Sequence, residues 1–381
     1  MTSSQPPRVL LITRNFPPLW GGMERLNWHL AAELAKTYEV RVVGPAGAAG
    51  YAPAGVAVRE APLQPLRAFL WHAARRARAE ARTWRPDVVL AGSGLTAPPA
   101  LWAARACGAR TAAYVHGLDL VVPHPVYRAL WRPALRRIGT VVANSRATAA
   151  LAEGIGIVPT RIAIVHPGVE LPAPDPAARA RFRAAHGIAA NAPLLLSVGR
   201  LTARKGLLEF VRDVLPRIAA QRPDVLLAIV GDAPAHALYA QPQTPAAIQA
   251  AADAAGVGTR VRFLGKLFGQ DLADAYAAAD VHVFPIRALP NDPEGFGMVA
   301  VEAAAHGLST VAYATGGVVD AVRDGASGRL VPPGDAAAFA QAVIDTLQAP
   351  PSAEALRAFA TEFAWERFGA RVADALLRNK R

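Results

Sequence analysis

A single cysteine, Cys107, stands in a chain of 381 residues. It excludes an intramolecular disulfide framework and suits a reducing cytoplasm. Long apolar runs are missing too: no stretch approaches about 18 unbroken apolar residues, so a spanning helix is not expected. The N-terminal MTSSQPPRVLLIT has an apolar run too short for a signal h-region and lacks a small-residue cleavage site. No zinc-ribbon cysteine spacing, recognition-helix signature or aromatic RNA-binding motif appears, and nucleic acid is therefore not expected as a partner. The GxGxxG fingerprint and the Walker A signature are both absent, which removes a firm dinucleotide site and gives ATP hydrolysis little support. No Asp-x-Asp or histidine cluster stands out as a metal site. Lysine is scarce, 37 of the 41 basic residues being arginine.

What remains is a folded chain with a marked positive charge. It is 52% hydrophobic and 18% charged, without long low-complexity tracts, and its length suits two domains better than one. The net charge of +12 ranks anionic membrane surfaces and phosphorylated ligands above neutral ones without choosing between them.

Arg8 to Thr13 is a continuous apolar run of the kind a parallel sheet covered on both faces requires. A proline-rich loop, the pair Gly21-Gly22 and a helix with Leu26, Leu30 and Leu34 on one stripe follow it. Further strands are expected at 39–44, 56–59, 87–91, 111–115 and 140–143, and the run Arg161 to Glu170 reads as the last strand of the domain with a turn. The proline-rich Leu171 to Ala180 marks a junction. Beyond it a new series runs through 194–198, 225–230, 261–264, 281–284 and 310–313. The domains read as residues 1–172, a linker region 173–190, a second α/β domain 191–350, and a helical segment 351–381. The helix from Pro65 to Arg85 places arginines on one side and aromatic or aliphatic groups on the other. That pattern suits a helix resting on anionic lipid, and equally a packed helix with a solvated arginine face.

In open α/β sheets ligands bind at the carboxyl ends of strands. His116-Gly117 with Asp119 stands at such an end, where His116 either meets a ligand or caps its own loop. Arg200 and Lys205 lie in the glycine-bearing loop VGRLTARKG, an arginine fork beside a mobile point charge that suits a diphosphate. The stretch NDPEGFGMVAVE follows the strand at 281–284. Gly295 and Gly297 allow close backbone approach, and the free N–H groups of a new helix favour hydroxyls or phosphate. Glu294 and Glu302 are eight residues apart, about two helical turns if both are helical; the plainer reading is two solvated glutamates.

Together FPPLWGGMERL, YVHGLD, VVANS, VGRLTARKG and PEGFGMVAVEAAAHGLSTVAYATGGVVDAVRDGASGRLVPPGD resemble the retaining GT-B glycosyltransferases of family 4. The resemblance implies an α/β GT-B fold, with two Rossmann-like domains facing across a deep cleft and a C-terminal helix crossing back to the first domain. It implies transfer of a hexosyl residue (mannose, glucose or N-acetylglucosamine) from GDP-mannose or a UDP-sugar to a glycan or phosphorylated, lipid-linked acceptor. The nucleotide diphosphate sugar is then a co-substrate, with no tightly bound cofactor and no metal.

Glu294 would receive donor-sugar hydroxyls, with Gly295, Phe296 and Gly297 offering backbone N–H groups and Met298 and Val299 adjoining the nucleotide. Glu302 would hold the ribose, Arg200 and Lys205 the diphosphate, Gly21-Gly22 would close over the phosphates, and His116 would lie beside the sugar. The mechanism implied is front-side transfer with retention, the leaving phosphate helping to take the acceptor proton. Relatives often carry an asparagine before the glycine-valine pair where this chain has Pro167 in HPGVE. A cytoplasmic enzyme, peripheral on the inner face of the cell membrane, is expected. A non-hydrolysing sugar-nucleotide epimerase and a nonenzymatic sugar-nucleotide-binding protein are the competing readings, and the oligomeric state is open.

Overall fold

A computed structural model describes residues 6–233 and 241–377. Its contacts divide the chain into two units, Met1–Gly168 with Trp365–Arg381, and Val169–Ala364.

Unit 1 is built on seven strands: β1 (Arg8–Ile12), β2 (Glu39–Pro45), β3 (Ala57–Ala61), β4 (Val88–Ala91), β5 (Arg110–Val115), β6 (Thr140–Ala143) and β7 (Ile162–Ile164). All pair in parallel in the order β3-β2-β1-β4-β5-β6-β7. Strands β4 and β6 are buried at every position, which is why they read as unbroken apolar runs. The helix Leu66–Trp84 buries Phe69, Ala73, Ala77, Ala81 and Trp84, a stripe at helical spacing. Trp71 is instead 59% exposed, with the Arg75 guanidinium 5.5 Å from its ring. The expected division of arginines from aromatics thus fails at Trp71, because an alanine stripe fills the inner face. The C-terminal helix Trp365–Leu377 belongs to this unit: the Trp365 ring stacks on His29 at 3.8 Å, and Arg110 Nη1 donates to Leu376 O at 2.6 Å.

Unit 2 carries β8 (Leu194–Val198), β9 (Leu226–Val230), β10 (Val261–Gly265), β11 (Val281–Phe284), β12 (Thr310–Tyr313) and β13 (Gly328–Val331), parallel in the order β10-β9-β8-β11-β12-β13. Strand β13 was not expected from sequence; it is an edge strand with glycine and arginine in its first two positions, which break the apolar run.

The region read as a linker, 173–190, holds the helix Ala178–Ala185 within unit 2. Its Arg183 is 3% exposed and donates to the carbonyls of Ala189, Ala190, Ala192 and Ala278 and to Asp280 Oδ2. The helix Ala353–Ala360 also lies in unit 2, so the chain passes to unit 1 only at Trp365.

Candidate active site

In the strand order of unit 2, β8 and β11 flank the point where the order reverses. In open α/β sheets, ligands bind at the carboxyl ends of the strands beside such a reversal. The loops leaving β8 and β11 carry the arginine-lysine and glutamate motifs.

The loop after β8 winds into a single turn at Ala203–Lys205, closed by Lys205 N donating to Thr202 O at 2.9 Å. Gly206 follows in the left-handed region at φ +69°, and a Cβ there would lie 2.0 Å from Pro285 O. Only glycine meets both conditions, and the approach presses this loop against the residue that immediately follows β11. Arg287 N donates to Arg204 O at 2.8 Å, a second backbone link between the loops. The glutamate loop is also held from β12: Gly317 N donates to Glu294 O at 2.9 Å, and a Cβ on Gly317 would come within 2.0 Å of Gly295 O.

So braced, the loops bring their charged groups together. Lys205 Nζ donates to Glu294 Oε2 at 2.8 Å, with both side chains largely buried, and it stands 4.8 Å above the Phe284 ring. Arg204 Nη1 lies 3.3 Å from Glu294 Oε2 and donates to Pro293 O at 2.7 Å, while its Nε is 3.4 Å from Asp292 Oδ1. Burial alone would raise the Glu294 carboxyl, but Arg204, Lys205 and Arg200 together bring it down to about 2. Burial lowers Lys205; Glu294 opposes that shift, and Arg204 and Arg200 add to it. Three cations overturn the effect of burial at Glu294, whereas at Lys205 one carboxylate does not overcome burial and two arginines. Arg204 is visible in TARKG, but nothing local shows that it reaches a loop 89 residues away.

Gly297 starts the helix Met298–Ala305 at φ +97°. Glu294 is therefore outside the helix, and the two-turn spacing to Glu302 does not apply. Phe296 is buried, whereas Met298 and Val299 are half-buried at the helix start. Glu302 sits one turn in, where Oε2 accepts the Tyr276 hydroxyl at 3.1 Å. Tyr276 lies on the helix Gly269–Ala278, and no motif in the sequence pointed to it.

Unit 1 holds the remaining candidates at the carboxyl edge of its own sheet. Gly21 precedes the helix Gly22–Leu34, and the Glu24 carboxylate fills the space a Gly21 side chain would take; Asn15 Nδ2 donates to Glu24 Oε1 at 2.7 Å. His116 follows β5, its Nε2 3.0 Å from Gly92 O and its amide N donating to Asp119 Oδ1 at 3.0 Å. A carbonyl only accepts, so the bond requires a proton on Nε2. Asp119 Oδ2 also accepts Gly94 N at 2.8 Å, so one carboxylate ties the loops after β4 and β5. Among the described residues no group of three or more His, Cys, Asp or Glu is placed to hold a metal ion.

The unit 2 arrangement offers clustered cationic side chains, the backbone N–H end of a helix and carboxylates able to accept hydroxyls. That combination suits an anion joined to polyols.

Residues 192–349 match the family model described as glycosyl transferases group 1, and residues 20–172 match that of glycosyltransferase family 4. The GDP-mannose-dependent alpha-(1-6)-phosphatidylinositol monomannoside mannosyltransferase of Mycolicibacterium smegmatis is 33% identical over 97% of this chain and 98% of its own length. The D-inositol 3-phosphate glycosyltransferase of Mycolicibacterium vanbaalenii is 39% identical over 58% of this chain, a match spanning 47% of that relative. Among solved structures, Anabaena HepE with UDP-glucose superposes with a TM-score of 0.77 at 21% identity, covering 97% of this chain and 99% of that one. Sucrose-phosphate synthase from Thermosynechococcus elongatus does so with a TM-score of 0.77 at 21% identity, covering 97% and 98%. The two parallel sheets, the loops that meet at the reversal of strand order and the full-length likeness converge: this chain belongs to glycosyltransferase family 4 and has the GT-B fold.

Proposed function

We propose that the protein transfers a hexosyl residue from a nucleotide diphosphate sugar to a lipid-linked or phosphorylated glycan acceptor, with retention of anomeric configuration. Unit 2 binds the donor and unit 1 the acceptor. The observation that carries the reading is the meeting of the Arg200–Lys205 loop with Glu294 at the reversal of strand order in unit 2.

Arg200 and Lys205 take the diphosphate and stabilise the charge that grows on it as the glycosidic bond breaks, a kind of electrostatic term that is large in catalysis. Glu294 accepts sugar hydroxyls, the N–H groups around Gly295, Phe296 and Gly297 steady sugar and phosphate, Met298 and Val299 border the nucleotide, and Glu302 accepts ribose hydroxyls. The leaving phosphate takes the acceptor proton, and the arginine and lysine side chains supply the positive charge without a divalent ion. GDP-mannose is the first donor to test, because the full-length mannosyltransferase relative is GDP-mannose-dependent.

The test is a panel of GDP-mannose, UDP-glucose and UDP-N-acetylglucosamine against inositol phospholipid and water-soluble polyol phosphate acceptors, read by mass spectrometry. One hexosyl increment on an acceptor is expected, unchanged by EDTA, with the anomeric signal of the product showing retention. An epimerised donor formed without acceptor would replace this reading with the epimerase.

Membrane contact through unit 1 is part of the same reading. The helix Pro125–Arg137 buries only Ala134 and Leu135, leaving Val126 52% and Leu130 59% exposed among Arg128, Arg132, Arg136 and Arg137. Trp102, on the helix Ala97–Ala104 packed between Leu66–Trp84 and Pro125–Arg137, is 38% exposed with Arg78 4.6 Å from its ring. Apolar groups ringed by arginine suit an anionic bilayer surface, and no helix among the described residues is long and apolar enough to cross a membrane. Replacing Trp71 and Leu130 by serine is expected to weaken sedimentation with phosphatidylglycerol-containing vesicles about tenfold or more. Parent protein that stays unbound at low salt would remove the membrane from the proposal.

A further inference from the structure

The hydrogen bond from Tyr276 to Glu302 has no place in the transfer chemistry above. Tyr276 is 2% exposed, and its ring stacks on His306 at 5.1 Å with 14° between planes. The His282 ring lies edge-on at 6.3 Å, itself held through Nδ1 3.0 Å from Thr310 Oγ1. The phenol is therefore locked by its surroundings, and its hydroxyl is aimed at one oxygen of Glu302.

A glutamate carboxylate rotates broadly about its last torsion, so its plane is undefined unless a partner sets it. A ribose presents two adjacent hydroxyls in a fixed relation, and a carboxylate gains most from them when its plane is set before they arrive. An ionised carboxylate only accepts hydrogen bonds, so a bond from Tyr276 stabilises the state that ribose hydroxyls need.

We infer that Tyr276 is a positioning residue for nucleotide recognition, orienting the Glu302 carboxylate toward the ribose hydroxyls of the donor. The inference rests on the assignment of Glu302 to the ribose. It differs from a core-packing role, since the ring is anchored by stacking while the hydroxyl donates to Glu302.

The test compares the parent, Tyr276→Phe and Glu302→Gln with GDP and UDP and their 2′-deoxy and 3′-deoxy forms by calorimetry. Steady-state kinetics follow on whichever of GDP-mannose and UDP-glucose is turned over. The parent is expected to bind the ribonucleotide about tenfold or more tightly than its deoxy forms. Tyr276→Phe should raise the donor KM about three- to tenfold, leave kcat and acceptor KM within about twofold, and leave deoxynucleotide affinity unchanged, so that ribose discrimination collapses. An equal loss for ribo and deoxy ligands, or a kcat that falls with the KM, would make Tyr276 structural and overturn the inference. Unchanged discrimination in Tyr276→Phe would overturn it too. The parent and Glu302→Gln test the underlying assignment alone: a parent indifferent to the ribose hydroxyls, or a Glu302→Gln variant that keeps full discrimination, would remove Glu302 from the ribose and Tyr276 with it.

Discussion

Lys205→Met is expected to lower kcat/KM for sugar transfer about 10²- to 10³-fold, the scale seen when one preorganised donor to developing negative charge is removed. The ammonium is held 2.8 Å from Glu294 and 4.8 Å above the Phe284 ring, mostly out of solvent, so its charge acts on a bound diphosphate with little screening. The same change withdraws a partner from Glu294, which keeps Arg204 at 3.3 Å, and stability should fall by about 2–3 kcal/mol.

A Lys205→Met/Glu294→Gln double variant separates the effects. It removes the carboxylate charge along with the ammonium, and is expected to unfold within about 1 kcal/mol of the parent while remaining inactive. Initial rates and urea denaturation read both quantities. A single variant with kcat/KM within about tenfold of the parent would show that the diphosphate charge is met elsewhere.

The pair also sets two limbs of pH dependence. Burial, outweighing Glu294, lowers the Lys205 pKa, so the catalytic cation is lost as pH rises through a value below the usual 10.5; Lys205→Arg should abolish that alkaline limb. Glu294 is brought down from 4.5 to about 2, so the folded state binds its proton less readily than the unfolded chain. Its contribution to stability is present above the unfolded pKa and is lost as pH falls through about 2. Glu294→Gln should flatten that acid limb in urea unfolding curves measured across pH.

Arg183→Met is expected to cost about 3–5 kcal/mol, the penalty for breaking a buried charge network from one side. The guanidinium serves the carbonyls of Ala189, Ala190 and Ala192 through Nη1 at 2.8–2.9 Å, and Ala278 O through Nε and Nη2. Nη2 also reaches Asp280 Oδ2 at 2.9 Å, and Asp280 in turn accepts Leu194 N at 2.8 Å at the start of β8. Methionine matches the apolar stem but leaves buried carbonyls without donors. Among the described residues, Asp280 would keep Arg179, at 2.8 Å, as an ion-pair partner. Lysine should rescue little, because a point charge cannot span the fork of acceptors.

Hydrogen exchange should show lost protection in residues 178–192 and 278–281 with unit 1 strands unchanged. A loss below about 1 kcal/mol would mean that water or repacking satisfies the three carbonyls.

The role of Arg183 is not legible in its local sequence. Proline and alanine dominate LPAPDPAARA and read as a linker, and the acceptors that bury Arg183 lie up to 97 residues away. Gly206 and Gly317 were readable as loop glycines, but the carbonyls that exclude a side chain at each position belong to other loops. Trp71 was readable as part of an amphipathic helix. That it faces outward with the arginines depended on which stripe, alanine or aromatic, met the sheet.

Local sequence determined the two strand series, the loops at their carboxyl ends and the motif that carries Glu294, because an unbroken apolar run and a glycine-bearing turn express their physics within a few residues. Tertiary structure alone decided that Lys205 and Arg204 converge on Glu294, that Glu294 stands outside the helix while Glu302 lies within it, and that Tyr276 reaches Glu302. The pairings join side chains 26 to 90 residues apart and are made when β8 and β11 become neighbours and the helices on the sheet take their places. No periodicity within either segment encodes such a pairing.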